Sequence, residues 1–375
     1  MPWRGVSSRY NRLTMFTEAD HDHMARALRL AAQGLYTTTP NPRVGAVVVK
    51  GGDVVGEGWH RRAGEPHAEV LALAQAGPLA RGATVYVTLE PCSHFGRTPP
   101  CSQALIDAGV ARVVAAMEDP NPRVNGQGLG RLRDAGVDVR CGLLRQQAED
   151  LNPGFVSRMA RGLPWVRLKV AASLDGRTAL HDGRSQWITA EAARADGHHW
   201  RARACAILTG IGTVRDDDPR LTAREVATTR QPMRVLVDSR LEVPLDAQLL
   251  KGGALVVCAV RNPDKERELA DRGCEVLALP NAAGKVDLPA LMRELAERDV
   301  NELHVEAGFK LNGSMVREGC VDELLVYLAP SLLGDAAGMF DLPPLADLNM
   351  RQRHYFHSVE RVGDDLRLLA RFSPR

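Results

Sequence analysis

Pro91-Cys92-Ser93-His94-Phe95-Gly96-Arg97-Thr98-Pro99-Pro100-Cys101, read together with His67-Ala68-Glu69, decides how the first part of this chain folds. One histidine and two cysteines offer a nitrogen and two sulfur donors, three corners of a zinc tetrahedron with the fourth left for water. Taken singly, His67 reads as a core histidine, and Cys92 or Cys101 as a small buried hydrophobe. Their setting changes that reading. His67 follows Pro66 at the start of a helical pattern, Cys92 stops an apolar strand, and Cys101 opens another helical pattern behind Pro99-Pro100. A helix start favours a thiolate, the form a metal needs. Glu69 is then placed to move protons to and from the water.

Outward from this loop, strand and helix patterns alternate. Residues 18–34 have helical spacing with Met24, Ala27, Leu28 and Ala31 on one face, Thr17 or Asp20 as cap and Gly34 as terminator. Pro40-Asn41-Pro42 is a rigid non-helical segment. Residues 44–49 read as a buried strand turned by Gly51-Gly52 into Val54-Val55, and further strands are predicted at 84–89, 110–117 and 137–139. Helices are predicted at 67–75 and 101–108. Leu151-Asn152-Pro153-Gly154 to Gly162-Leu163-Pro164 is the expected boundary, giving a first domain over 15–160 and a second over 161–375. Strand patterns resume at 166–171 and recur at 206–208, 235–237, 255–258, 276–279, 303–305, 324–328 and 366–372. Helical segments at 190–203, 265–272 and 289–298 intervene, so the second domain is also expected to be α/β with a mostly parallel sheet. Residues 1–14 read as an N-terminal extension, since Met15 would serve equally well as a start.

At 375 residues the chain is long enough for two sizeable cores. Its net charge of +2 balances 48 basic against 46 acidic side chains, without the clustered Lys and Arg of a nucleic-acid surface. No apolar run approaches the length that spans a bilayer, and the N-terminus lacks the apolar core of a signal peptide. Seven cysteines, an odd number thinly spread, argue against a disulfide framework and point to the cytoplasm. The expected partner is therefore a small molecule, not nucleic acid or membrane.

His-x-Glu at a helix start followed by Pro-Cys and a second cysteine is the pattern of zinc deaminases, which replace an amino group on a heterocycle by water. Most nucleoside and nucleobase deaminases have two residues between the cysteines; here there are eight, Ser93 to Pro100. That block resembles the deaminase half of the bifunctional riboflavin-biosynthesis enzymes, as do Pro40-Asn41-Pro42-Arg43-Val44-Gly45 and Gly56-Glu57-Gly58-Trp59-His60. The resemblance implies a three-layer fold like that of cytidine deaminase, with Asn41, His60, His94 and Arg97 lining the pocket for a phosphoribosylated pyrimidine. Asn and His side chains suit ring edges, and Arg97 suits a phosphate.

The second half has no Gly-x-Gly-x-x-Gly after a strand, so a Rossmann site is not supported. Lys169-Val170-Ala171-Ala172-Ser173-Leu174-Asp175-Gly176-Arg177 instead resembles the reductase half of the same family, whose fold is like that of dihydrofolate reductase. Ser185-Gln186-Trp187, Gly210-Ile211-Gly212-Thr213, Val237-Asp238-Ser239-Arg240 and His304-Val305-Glu306-Ala307-Gly308 extend the match. The resemblance implies NADPH contacts from Ala171, Trp187, Thr213, Asp217, Ser239, Gly308, Phe309, Lys310, Leu311, Asn312, Gly313 and Ser314. It implies substrate contacts from Lys169, Ser185, Arg201, Leu221, Arg224 and Glu306, with Lys169 and Glu306 polarising the sugar. Ala307 stands where the family repeats glycine; a positive φ there would cost alanine about 1 kcal/mol. Asp216 adds an acid beside Asp217. The expected cofactors are one Zn2+ and NADPH, and the expected assembly a homo-oligomer. The rivals are a nucleoside, nucleobase or nucleic-acid deaminase with a non-catalytic appended domain, and a non-catalytic binding module; intact His67, Glu69, Cys92 and Cys101 argue against the latter for the first domain.

Overall fold

The structure is a computed structural model, and it describes residues 16–93, 100–122 and 124–372. The chain divides into two compact units. Residues 16–34 and 43–151 form the first, while residues 35–42 group with 152–372 in the second.

In the first unit, α1 (Glu18–Ala32) precedes the hairpin of β1 (Gly45–Lys50) and β2 (Asp53–Trp59), followed by α2 (Ala68–Ala76), β3 (Thr84–Val87), α3 (Cys101–Asp107), β4 (Arg112–Ala115), α4 (Gln127–Asp134), β5 (Asp138–Cys141) and α5 (Arg145–Leu151). Among the described residues the sheet order is β2-β1-β3-β4-β5, antiparallel through β3 and parallel beyond it. Thr17 caps α1 in a reciprocal box with Asp20, which satisfies two amides that the helix start leaves unpaired. Alternation along β1 sends Ala46 and Val48 into a core with Ala68, Ala72 and Ala76 of α2, Leu105 of α3, and Leu129 and Leu132 of α4. The Gly56-Glu57-Gly58 motif has a packing cause: a Cβ at Gly58 would lie 2.3 Å from the Ala68 carbonyl oxygen, and one at Gly56 2.2 Å from that of Ala72. Two glycines facing an alanine-rich helix let α2 lie directly on β2, and that contact fixes the height of its first turn.

The second unit continues with α6 (Pro153–Arg161), β6 (Trp165–Ser173), β7 (Arg177–Ala179), α7 (Glu191–Arg203), β8 (Ala206–Gly210), α8 (Ile211–Asp217), β9 (Met233–Val237), β10 (Leu255–Cys258), α9 (Pro263–Ala270), β11 (Glu275–Ala278), α10 (Leu288–Glu297), β12 (Glu302–Glu306), α11 (Phe309–Arg317), β13 (Glu323–Ala329), β14 (Ala337–Gly338), β15 (His354–Val362) and β16 (Asp365–Phe372). The order β11-β10-β9-β8-β12-β6-β13-β16-β15 is parallel from β11 to β13 and antiparallel at β16 and β15, while β7 and β14 pair separately. Insertion of β12 between β8 and β6 brings the end of a late strand beside the ends of early ones. One face of the central strands carries Leu168, Leu208, Leu303 and Val305 against Leu291 and Leu295 of α10 and Met315 of α11. The other face is charged. Arg167, 2% exposed, pairs with Glu323 at 2.6 Å and Glu302 at 3.2 Å, and Arg203 and Arg371 complete the set.

The predicted strands are present with shifted ends. α6 occupies part of the segment read from sequence as boundary, and the edge strand β15 was not anticipated because its residues do not alternate in polarity.

Candidate functional site

In the first unit, His67 is the N-cap residue of α2, with extended backbone at φ −73° and ψ 162°, and its side chain makes no capping bond to the helix it precedes. Cys101 begins α3 behind Pro100. Cys92 lies after β3, with its carbonyl accepting the Ser102 amide at 3.1 Å and its sulfur accepting the Cys101 amide at 3.3 Å. His67 Nδ1 lies 3.2 Å from Cys101 Sγ and 3.7 Å from Cys92 Sγ. The three donor atoms all fall within 4.8 Å of one another. Two sulfurs and one imidazole nitrogen are the donor set zinc prefers, and three ligands leave a position open, so the residues present fit a catalytic zinc ion. The Cys101 side chain, opposed by burial and helped by His67, holds the Cys92 thiol below its usual range, the direction a metal ligand needs.

Glu69 lies in the first turn of α2, 3% exposed. Burial pushes its carboxyl upward, and His67 opposes the shift. The His60 ring is buried, its Nδ1 3.2 Å from the Pro66 carbonyl oxygen, and it meets the His67 ring edge-on at 5.3 Å between centroids. Asn41, half-buried, belongs to the segment grouped with the second unit, and its amide donates to the Thr38 carbonyl at 2.9 Å. His94 and Arg97 lie outside the described residues.

In the second unit a cleft of about 1750 Å3 opens at the carboxyl ends of β6, β8, β9 and β12, the position where open parallel sheets bind ligands. Lys169, Ala171, Ser185, Trp187, Arg201, Thr213, Asp217, Leu221, Arg224, Ser239 and Glu306 all line it, with Gly308, Phe309, Lys310, Leu311, Asn312 and Ser314. Gly313 does not line it; a Cβ there would lie 2.2 Å from the Asp341 carbonyl oxygen, so this glycine serves packing. Gly308 is the N-cap of α11, whose first amides have no partner within the helix and suit an anion. Ala307 also lines the cleft and is absent from the residues with positive φ, so the substitution for glycine carries no backbone penalty.

Glu306 ends β12 and receives Arg201 through Nε at 2.5 Å and Nη2 at 2.7 Å. Burial is the largest single influence and would raise its carboxyl, but the Arg201 charge and hydrogen bonds together with His304 outweigh it and hold Glu306 well below the usual carboxylate range. Burial drives the Lys169 ammonium the other way, downward, with Glu306 opposing. Arg201 also donates to the Thr222 carbonyl at 3.3 Å, so its donors are largely committed within the protein. Arg224 lies exposed on the cleft, with Nη1 3.0 Å from Thr222 Oγ1. Asp217 accepts from Gln186 at 3.0 Å, and Asp216 lines the same cleft.

Two neighbours escaped the sequence. Trp187, 70% exposed, has the Arg194 guanidinium 4.6 Å from its ring centroid, and no local spacing announces that contact. His304 Nε2 lies 3.2 Å from Glu306 Oε1; the alternation of a strand, with 304 and 306 on one face, was the signal available for it.

Two family models match the chain: the cytidine and deoxycytidylate deaminase zinc-binding region over residues 17–117, and the RibD C-terminal domain over residues 164–366. The riboflavin biosynthesis protein RibD of Escherichia coli is 49% identical, over 92% of this chain and 98% of that protein. That of Haemophilus influenzae is 47% identical, over 94% and 97%. The chain belongs to the RibD family. Solved RibD structures agree over its length: that of Acinetobacter baumannii, form 1, gives a TM-score of 0.88 at 43% identity, covering 95% of this chain and 99% of that one. The Thermotoga maritima diaminohydroxyphosphoribosylaminopyrimidine deaminase/5-amino-6-(5-phosphoribosylamino)uracil reductase gives 0.83 at 32% identity, with the same coverage. As a RibD, this is a bifunctional deaminase and reductase of riboflavin biosynthesis, using Zn2+ and NADPH. The first unit is its cytidine-deaminase-like part and the second its dihydrofolate-reductase-like part.

Proposed function

We propose that His67, Cys92 and Cys101 hold the zinc ion and that the first unit hydrolytically deaminates 2,5-diamino-6-(5-phosphoribosylamino)pyrimidin-4(3H)-one. The observation that carries this reading is the convergence of three ligand atoms within 4.8 Å beside a buried carboxylate in the same helical turn. Zinc, when bound, supplies a Lewis acid that lowers the pKa of water from ~15.7 toward ~7. Glu69 takes a proton from the attacking water and delivers it to the amine, which leaves as ammonia. Asn41, His60, His94 and Arg97 bind the substrate.

The second unit then reduces the ribosyl group to give 5-amino-6-(5-phosphoribitylamino)uracil, with NADPH as hydride source. Gly308 and the first turn of α11 take the cofactor pyrophosphate. Ala171, Trp187, Thr213, Asp217 and Ser239 bind the rest of the cofactor. Ser185, Leu221, Arg201 and Arg224 hold the substrate, Arg224 being the freer cation for its phosphate. Lys169 and Glu306 face the sugar as an ammonium and a carboxylate suited to polarise it.

The rival, a zinc nucleoside deaminase with an inert appended domain, is opposed by the reductase-family match over residues 164–366 and by the lined cleft. The deciding assay supplies the diaminopyrimidine phosphoribosyl substrate and follows ammonia and NADPH oxidation together. Both signals are expected. Ammonia without NADPH oxidation, even with deaminated intermediate supplied, would reduce the protein to a deaminase.

A homo-oligomer is supported by the edge strand β15, where Tyr355, Phe356 and Val359 are 47%, 68% and 54% exposed. A monomeric mass by light scattering would refute it. A cytoplasmic location is supported by the absence of disulfides among the described cysteines. Among the described residues no helix is long and apolar enough to cross a membrane.

A further inference from the structure

We propose that Glu90 and Gly128 form a clamp that sets the position of the Cys92 thiol, making Glu90 a positioning residue for the zinc site. This rests on the ligand assignment above and extends it to residues that touch no metal.

Glu90 ends the turn after β3, two residues before Cys92, and is 4% exposed. Its Oε2 accepts the amides of Asp119 and Gly126, both at 2.9 Å; its Oε1 accepts those of Gly128 at 2.8 Å and Leu129 at 3.2 Å. Four amide donors saturate a carboxylate, and bonds to a charged acceptor are the strong kind. Two of those amides belong to the first turn of α4, whose N-cap Gly126 offers no side-chain bond, so Glu90 caps this helix from far away in the chain.

The other half of the clamp is steric. A Cβ at Gly128 would lie 1.9 Å from the Pro91 carbonyl oxygen and 3.2 Å from Glu90 Oε1. The start of α4 therefore bears directly on the peptide that leads into Cys92. On its other side Cys92 is tied to α3 through the amides of Ser102 and Cys101. The thiol is thus located between two helices, and Glu90 with Gly128 supplies one of the two attachments. Metal bonds tolerate errors of only ~0.2 Å, and outer residues that orient ligands typically change metal affinity ~10–100-fold.

The test uses full-length, zinc-loaded protein carrying Glu90→Gln or Gly128→Ala. Zinc content, the rate of zinc release to a chelating dye, thermal unfolding and NADPH-dependent reduction of the deaminated intermediate are measured. Glu90→Gln keeps the shape but turns a donor toward two amides; Gly128→Ala keeps the carboxylate and pushes Pro91. Both are expected to release zinc ~10–100-fold faster, with reductase turnover unchanged. Zinc release at the wild-type rate, with only the melting temperature lowered, would make Glu90 a fold stabiliser and overturn the proposal. If Glu90→Gln does not accumulate as folded protein, Gly128→Ala carries the comparison alone. Cys92→Ser separates the two readings. Full zinc retention by that variant overturns the ligand assignment, whereas loss from it with normal retention by the clamp variants overturns only the clamp.

Discussion

At the scale of single residues, chemistry here is decided by which neighbour overrules burial. Glu69 is buried in the turn that begins at His67, and the role proposed for it is proton transfer, so Glu69→Gln should lower ammonia release by at least ~100-fold while zinc content stays at one per chain. Normal turnover by that variant would sink the mechanism. Glu306 shows the opposite outcome, a buried carboxylate kept ionised by Arg201 and His304 together. Arg224 has fewer protein partners. Arg224→Ala should raise the KM of the reductive step ~10- to 100-fold, the value of a charged hydrogen bond, and leave deamination unchanged; equal loss of both would argue against separate sites. Asp20 links residue chemistry to stability. Burial would raise it, but Tyr86 at 2.6 Å, the Thr17 backbone and Arg112 at 2.9 Å outweigh that and bring it to about 2. Its folded value lies below its unfolded one, so its stabilisation is complete above the unfolded value of ~4 and fades as pH falls through ~2. Asp20→Asn should cost on the order of 1–2 kcal/mol at pH 7 and less at pH 3, by urea unfolding.

At the scale of elements, close packing and buried charge place the chemistry. Gly58 lets the first turn of α2 approach β2, and that turn begins at His67 and contains Glu69. Gly58→Ala should therefore cost roughly 1–3 kcal/mol and weaken zinc retention, read by unfolding and chelator release. In the second unit, β12 presents Glu302, His304 and Glu306 on one face, and α7 answers with Arg203 to Glu302 and Arg201 to Glu306. Arg167 bridges Glu302 and Glu323, and without it each keeps a second arginine, Arg203 and Arg371. Arg167→Leu should therefore cost about 1–3 kcal/mol in chemical denaturation, the value of lost charged hydrogen bonds, and less than removing either glutamate.

At the scale of the whole molecule, the cluster of His67, Cys92 and Cys101 belongs to the first unit and the cleft to the second. Stripping zinc with a chelator should abolish ammonia release and lower the melting temperature of one transition, because metal binding adds to folding free energy. NADPH oxidation with deaminated intermediate supplied should continue at the untreated rate. A parallel loss of both activities would show that the two steps depend on one metal.

The sequence by itself singled out His67, Cys92 and Cys101, the trio whose donor atoms the structure brings within 4.8 Å of one another, because each sits at the start or end of a local element whose pattern is short-range. It also determined the α/β alternation in both halves and the reductase motifs, since strand ends and helix starts are written in neighbouring residues. What only the tertiary structure decided are contacts between residues far apart in the chain. The Glu90 carboxylate reaches amides 29 to 39 residues away. Arg201 and Glu306, 105 residues apart, form one pair, and Gly313 turns from the cleft to pack on Asp341. A carboxylate before Pro-Cys and an arginine on a helix look like solvated charges in one dimension. Burial and long-range pairing, which no local pattern encodes, make the first a clamp and the second the main partner that keeps an acid of the cleft ionised.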